Sequence, residues 1–422
     1  MARALNLHDI QGNVVRAYGR FAFPFARYFF FNISDAAEGR KFVDAVRQHV
    51  TTAARWPDEA EKPDCTVNIG FSFYGLWALK VPTRTLKGMP DEFAEGMKSR
   101  ASVLGDRDTT IIESDDPDWD AHWDPIWRNN RVPGASGADD VHVWISLNAQ
   151  LKEPGKAVPV DALEERTQWL RSLCAASDGG VRLLSGIGPS DADYQEANAV
   201  FETHDGRDLP TPKEHFGFAD GIGDPVFDGQ YPPEKAKTAV IGRGKQVDGK
   251  WVPIQTGEFI LGHPDESQEL PPAAMPPEFS QNGTFMAFRK MHEYVSRFEE
   301  VLAEEAARFA SVMDIPEDEA RETLRAKMCG RWADGVPLAK VTTYADWKSF
   351  RKEHGFDVED TAQALENQSR YLRSPDASDF RYADDMPGFN VPGGAHIRRM
   401  NTRDYLDPLN TPGVDDSGVP FP

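Results

Sequence analysis

The chain has 422 residues, of which 40% are hydrophobic and 27% charged, a composition typical of globular proteins with room for about two or three domains. Its net charge of −21 argues against a nucleic-acid partner, because there is no basic excess to neutralise phosphates. No apolar stretch reaches the length of a transmembrane helix or of a signal peptide. We therefore expect no membrane association and a cytoplasmic location.

The cysteines and histidines do not form a recognisable metal-binding or disulfide pattern. The three cysteines, Cys65, Cys174 and Cys329, are far apart and odd in number, which predicts reduced thiols. The ten histidines are scattered, without the HxxxH or HExxH spacing of helical zinc sites.

The first 200 residues alternate between strand and helix patterns. Strands are predicted over residues 27–33, 66–73, 140–148 and 181–184, from aromatic-rich or alternating apolar stretches. Helices are predicted from Ser34 or Asp35 to about Val50, and over 160–176, from apolar residues at helical spacing. Residues 106–139, rich in Asp, Pro, Trp and Gly, indicate a long loop between the two halves of this pattern. The order β-α-β, interruption, β-α-β is typical of a ferredoxin-like domain with an antiparallel sheet.

The remainder of the chain begins with loops and then repeats a strand-helix start. A small hairpin is predicted over 247–253, where Asp248 and Gly249 give the turn signal. A strand over 283–290 precedes helices over 291–312 and 316–328, a short helix within 339–354, and mostly loop over 357–395. The predicted fold class is therefore α+β, with tandem ferredoxin-like units over residues 1–200 and 201–422.

Residues 215–225 (HFGFADGIGDP) are the strongest candidate for a functional loop. Asp220 lies among small residues, and Gly221 after it allows a tight turn and a close approach to another surface. Phe216 and Phe218 add apolar bulk beside the carboxylate. Such an Asp could exchange protons with a bound ligand. The alternative is an Asx-turn in which Asp220 only satisfies backbone N–H groups.

Motifs in a fixed order along nearly the whole chain carry a resemblance to a known family. They are residues 9–14 (DIQGNV), 93–106 (FAEGMKSRASVLGD), 216–225, 282–290 (NGTFMAFRK), 395–404 (AHIRRMNTRD) and, more weakly, 328–338 (MCGRWADGVPL). In these motifs the sequence resembles the dye-decolourising peroxidases (DyP-type haem peroxidases), which are built from two ferredoxin-like units.

The resemblance implies a haem b cofactor and assigns roles to individual residues. His396 corresponds to the proximal ligand of the haem iron, although a structural histidine is the alternative for this residue taken alone. Asp220 corresponds to the distal acid that takes a proton from hydrogen peroxide and returns it to the leaving oxygen. Phe218 and Gly221 are expected to contact the haem. The implied activity is one-electron oxidation of aromatic, dye-like donors by hydrogen peroxide.

The C-terminal end departs from the family pattern. Family members use a distal arginine downstream of the proximal histidine, but no basic residue follows Arg403. We expect Arg398, Arg399 and Arg403 to be surface or propionate-side charges, and the second ferredoxin-like unit to be incomplete. Three hypotheses stay open: an active peroxidase, a haem-binding relative or fragment without effective turnover, and an α+β scaffold without haem. A homo-oligomer or a complementing C-terminal chain would each cover an incomplete sheet.

Overall fold

Residues 5–56, 61–101, 103–104, 123–128, 140–187 and 192–400 are described by the structure, a computed structural model. The chain divides into two units by its internal contacts. The first unit comprises Leu5–Asn198 and Thr256–Arg289, and the second comprises Met1–Ala4, Ala199–Gln255 and Lys290–Pro422. The sequence-based division at residues 200 and 201 stays a proposal; in the structure, Thr256–Arg289 groups with the first unit.

The first unit contains a mixed set of strands and helices. Its strands are β1 (Phe25–Ile33), β2 (Cys65–Phe71), β3 (Val143–Ala149), β4 (Val181–Leu183) and β5 (Gln195–Glu196). Its helices are α1 (Gly12–Val15), α2 (Ala36–Arg47), α3 (Phe73–Ala78), α4 (Thr83–Leu86), α5 (Asp91–Ser99), α6 (Pro125–Arg128) and α7 (Ala162–Ala176). The predicted strands and the two long helices of this half are therefore confirmed. The loop predicted over 106–139 lies largely outside the described residues.

The sheet of the first unit has the antiparallel order β2-β3-β1-β4, with β5 added beside β1. This order is ferredoxin-like, as predicted. In the register of the sheet, Ile145 of β3 lies between Phe29 of β1 and Ile69 of β2. Phe31 of β1 packs against Phe42 of α2, with ring centroids 5.0 Å apart, so this face of the sheet is covered by helix.

The opposite face of the sheet is covered by the segment predicted as a strand. Residues 283–290 form no strand in the part of the chain that the structure describes, which corrects the prediction. Phe288 packs instead on Tyr28 and Phe30 of β1, with ring centroids 5.8 and 5.1 Å away. Phe285 and Met286 remain 39% and 50% exposed. The apolar pattern of this segment thus serves contacts with the first sheet and does not open a second one.

Gly75 of α3 occupies a position where no side chain fits. A Cβ atom there would lie 2.0 Å from the backbone oxygen of His142. We expect Gly75→Ala to lower the free energy of unfolding by about 1–3 kcal/mol, because the backbone must shift to relieve the overlap. Urea unfolding would measure this loss. Gly19→Ala is the control, since a Cβ at Gly19 has no neighbour within 4 Å among the residues that the structure describes; equal losses in the two variants would contradict the prediction.

The second unit is mainly helical in the residues that the structure describes. Its strands are β6 (Phe201–His204), β7 (Arg207–Pro210), β8 (Lys245–Val247) and β9 (Lys250–Val252). Its helices are α8 (Pro233–Ala239), α9 (Val295–Met313), α10 (Glu317–Cys329), α11 (Tyr344–Glu353), α12 (Thr361–Leu372) and α13 (His396–Met400). The strands pair as two separate antiparallel hairpins, β6-β7 and β8-β9. Asp248 and Gly249, with φ of +48° and +72°, form the predicted turn between β8 and β9.

A cluster of buried aromatic residues forms the core of the second unit. The rings of Trp332 and Trp347 stack with centroids 4.7 Å apart and planes 6° apart. The buried carboxylate of Asp334 accepts hydrogen bonds from Trp347 Nε1 at 2.9 Å and from Arg351 Nη1 at 2.7 Å. Burial raises the pKa of Asp334, although Arg351 opposes the shift. The core also receives Tyr371 from α12, a helix where the sequence predicted loop.

The architecture as a whole is α+β, with antiparallel strands and packed helices, as predicted. None of the helices in the described ranges combines the length and apolar character that a membrane crossing requires.

Candidate active site

The loop that carries Asp220 is closed by the carboxylate of Glu214. Glu214 Oε2 accepts a hydrogen bond from the backbone N–H of Phe216 at 2.8 Å, and Oε1 accepts one from the N–H of Phe218 at 2.7 Å. The backbone N–H of Glu214 donates in turn to the carbonyl of Phe218 at 2.9 Å. Gly217 has a φ of +86°, a conformation that a glycine adopts at low cost. These hydrogen bonds stabilise the shape of the turn.

Asp220 follows this turn and is exposed to solvent. Its backbone N–H donates to the carbonyl of Pro212 at 2.7 Å, and its Oδ1 accepts from the N–H of Gly221 at 2.6 Å. One carboxylate oxygen thus accepts from the N–H of the next residue, whereas an Asx-turn would use the N–H two residues on. Oδ2 accepts no hydrogen bond from any residue that the structure describes. One oxygen orients the carboxylate, and the other is available to a ligand.

Helices α9 and α10 pack against this turn. Phe298 of α9 contacts the rings of Phe216 and Phe218, with centroids 4.9 and 6.4 Å away. Arg325 of α10 places its guanidinium 4.9 Å from the centre of the Phe218 ring and donates from Nη2 to the carbonyl of Phe216 at 3.1 Å. Phe218 thus packs between a phenyl ring and a cation. Its predicted contact with haem stays a prediction, as does that of Gly221.

His396 is the first residue of α13, and its side chain is exposed. The imidazole makes no hydrogen bond to the residues in the described ranges. A Cβ on the preceding Gly393 or Gly394 would meet no atom of the described residues within 4 Å. A neutral imidazole in such a position can bind a metal centre through a ring nitrogen.

The backbone before His396 is anchored by a buried arginine. Arg398 is only 2% exposed, and its Nη1 donates to the carbonyl oxygens of Val391 at 2.6 Å and Asp385 at 3.0 Å. Its guanidinium lies 5.2 Å from the centre of the Tyr382 ring. The expectation of a surface charge is wrong for Arg398, because these carbonyls and the ring replace water around the cation.

The outcome differs for the other two arginines of this motif. Arg399 is exposed, as expected, and Arg403 lies outside the described residues.

The Asp220 loop and the His396 segment both contact the turn that follows α10. Gly330 ends the helix with a φ of +90°, and a Cβ there would lie 2.5 Å from Cγ1 of Ile397. Five residues on, a Cβ on Gly335 would lie 3.2 Å from the Cβ of Ala219. The backbone N–H of Ala219 also donates to the carbonyl of Ala333 at 2.8 Å. The neighbours of Asp220 and His396 in the sequence are therefore fixed to one short stretch of chain.

Charged groups of the Asp220 loop act on the thiol of Cys329 beside this turn. Burial raises the pKa of the Cys329 thiol, at the last residue of α10, and the carboxylates of Glu214 and Asp220 raise it further. Arg331 acts in the opposite direction. The described residues contain no group of three or more His, Cys, Asp or Glu side chains that could hold a metal ion.

Comparisons with known proteins agree with the sequence motifs. A profile of the DyP dimeric alpha+beta barrel domain matches residues 9–141. Peroxidase 2 of Mycetinis scorodonius is 25% identical over 99% of this chain and 64% of its own length. The dye-decolorizing peroxidase of Mycena epipterygia is 26% identical over the same shares of the two chains. The chain thus spans somewhat less than two thirds of the length of these curated relatives.

Solved structures show the same fold. A dye-decolorizing peroxidase in complex with 2,6-dimethoxyphenol superposes with a TM-score of 0.62 at 23% identity, covering 94% of this chain and 71% of that one. The decolorizing peroxidase of Auricularia auricula-judae gives a TM-score of 0.57 at 20% identity, with 94% and 69% of the chains covered.

Proposed function

We propose, from the premise that the chain belongs to the dye-decolourising peroxidase family, that it is a haem peroxidase. It would use hydrogen peroxide to oxidise aromatic, dye-like donors in one-electron steps. The observation that carries the proposal is the common attachment of the Asp220 loop and the His396 segment to the turn after α10. This attachment supports a single site that includes two residues 176 positions apart in the chain (396 − 220).

The residues present fit a haem b group. His396 offers an exposed imidazole without a competing partner among the described residues, which suits an axial iron ligand. A flat ligand next to that imidazole is supported by Gly393 and Gly394, where a Cβ would meet no described residue within 4 Å. When bound, haem supplies the electron transfer between peroxide and donor, while the protein supplies ligation, orientation and proton transfer.

The contribution of the protein to peroxide cleavage is a proton transfer by Asp220. Oδ2 takes the proton from one peroxide oxygen and delivers it to the other, so that the O–O bond breaks and water leaves. The hydrogen bond from Gly221 N–H to Oδ1 keeps the carboxylate in one orientation during both steps. Over the whole turnover, two donors would each give one electron and one proton, so that the second peroxide oxygen also leaves as water.

A haem-binding protein without effective turnover is the second candidate. The observation that favours it is the exposure of Asp220 to solvent, because water around a carboxylate weakens its electrostatic action on a substrate.

Reconstitution with haem followed by an assay separates these candidates. A Soret band together with peroxide-dependent bleaching of an anthraquinone dye, above that of free haem at equal concentration, supports the peroxidase. A Soret band without bleaching supports the second candidate. Absence of a Soret band at any haem concentration would reject both and leave the α+β scaffold without haem.

We also propose a cellular location and an assembly state for the protein. A cytoplasmic location is supported by the three cysteines, which are all free thiols. Self-association, or capture of a complementing chain, is supported by the exposed Phe285 and Met286. Cell fractionation and sedimentation of the purified protein test these two proposals.

A further inference from the structure

Arg325, from helix α10 of the second unit, contacts the Asp220 loop. Its side chain is 13% exposed, and Glu322 holds its Nη1 at 3.2 Å. A Cβ on Gly217 would lie 3.0 Å from Arg325 Nη2, so the cation fits directly beneath the turn. It donates to the carbonyl of Phe216 and covers the ring of Phe218.

Glu214 binds the same turn through backbone N–H groups. Its two carboxylate oxygens accept from the N–H groups of Phe216 and Phe218. The peptide groups of Phe216 are therefore bound on both sides, by a carboxylate at the N–H and by a guanidinium at the carbonyl. Hydrogen bonds to charged groups are the strong ones in proteins.

From this geometry we infer that Glu214 and Arg325 are positioning residues, a clamp that fixes the Asp220 carboxylate for reaction with peroxide. The inference rests on the proposed role of Asp220. Asp220 is held by its own N–H and by Oδ1, and through the N–H of Ala219 to the carbonyl of Ala333, while the turn two residues before it sets the path by which the chain enters this position. Neither clamp residue has to contact peroxide.

The clamp predicts a kinetic effect confined to the peroxide step. Loss of the clamp should slow the reaction with peroxide by roughly ten- to a hundredfold, because small displacements of a reacting group are costly. The KM for the dye donor should not change. Arg325→Lys should recover part of the rate lost in Arg325→Met, since it restores the charge but not the planar fork.

Amide hydrogen exchange of the full-length protein tests the clamp without reference to activity. In Arg325→Met and in Glu214→Gln, the amides of residues 216–220 should exchange about tenfold faster or more than in the wild type. Arg321→Met is the matched control: Arg321 lies one turn earlier on α10 and pairs with Glu299 of α9. Its loop amides should exchange at the wild-type rate. If Arg325→Met does not fold, Glu214→Gln provides the same readout.

The outcomes separate this inference from the proposed function. Unchanged exchange at residues 216–220 in both clamp variants would overturn the clamp. Faster exchange with an unaltered peroxide rate, in a protein whose wild type is active, would overturn the positioning role. Faster exchange in a protein whose wild type has no turnover would support the clamp and reject the peroxidase.

Discussion

Asp220→Asn is expected to slow the reaction of the haem-loaded protein with peroxide by about 10²- to 10⁴-fold, the usual contribution of a general acid–base group. Asparagine has the same shape, and its Oδ1 can keep the hydrogen bond from Gly221 N–H. The amide group that replaces Oδ2 cannot take up a proton. The loop should therefore stay in place while the chemistry is lost. Stopped-flow absorbance in the Soret region, after mixing with peroxide, measures the rate.

The control for this substitution is Asp248→Asn in the turn between β8 and β9. Asp248 lies in the same unit and has a φ of +48°, a conformation that asparagine also tolerates. This variant removes one negative charge without touching the loop, so it should react with peroxide at the wild-type rate. Equal rates for Asp220→Asn and the wild type, with equal haem content, would reject Asp220 as the proton-transfer group.

Local patterns in the sequence were sufficient to predict strands β1 to β4 and helices α2 and α7 of the first unit. β1 was predicted from its aromatic run, and the start of α2 from Asp35, whose side chain accepts from the N–H groups of Ala37 and Glu38. Both signals act over a few residues, so they survive without knowledge of the fold.

The prediction for residues 283–290 failed because a strand needs a partner as well as a β-rich composition. Phe288 finds its contacts on the face of the first sheet, and no strand among the described residues pairs with the segment. Helix α12 was missed for a related reason. Its buried side chains are Gln368, whose Nε2 donates to the carbonyl of Asp334, and Tyr371, so the packing of this helix depends on contacts with distant parts of the chain.

Only part of the candidate site could be predicted from the sequence. The sequence motifs named Asp220 and His396, and the structure attaches their neighbours to one turn. Glu214 and Arg325 were missed, because the contact between Arg325 and Phe216 joins residues 109 positions apart. The sequence offered two signals: Glu214 is an acidic residue just before the turn, and Arg325 lies one helical turn before Cys329 in a predicted helix. Neither signal indicates a role in the site until the fold brings the two residues to the same loop.

His396→Ala is expected to abolish most haem binding, because it removes the one protein ligand proposed for the iron. Wild-type protein should bind haem stoichiometrically and show a Soret band. A ligand that binds only the folded state at 100 times its Kd also raises the free energy of unfolding by about 2.7 kcal/mol. Haem should therefore stabilise the wild type against thermal unfolding but not the variant. Titration with haem, followed by absorbance and by melting temperature, measures both effects.

Two further variants make this test specific to the imidazole at position 396. His292→Ala removes another exposed histidine of the second unit and should leave haem binding unchanged. His396→Gly leaves space at the site, so added imidazole should restore the Soret band, whereas it should do little for the wild type. Arg398 anchors the backbone through Val391 and Asp385, independently of the imidazole, so the segment should keep its shape in these variants. Full haem content and an unaltered spectrum in His396→Ala would show that another residue binds the iron.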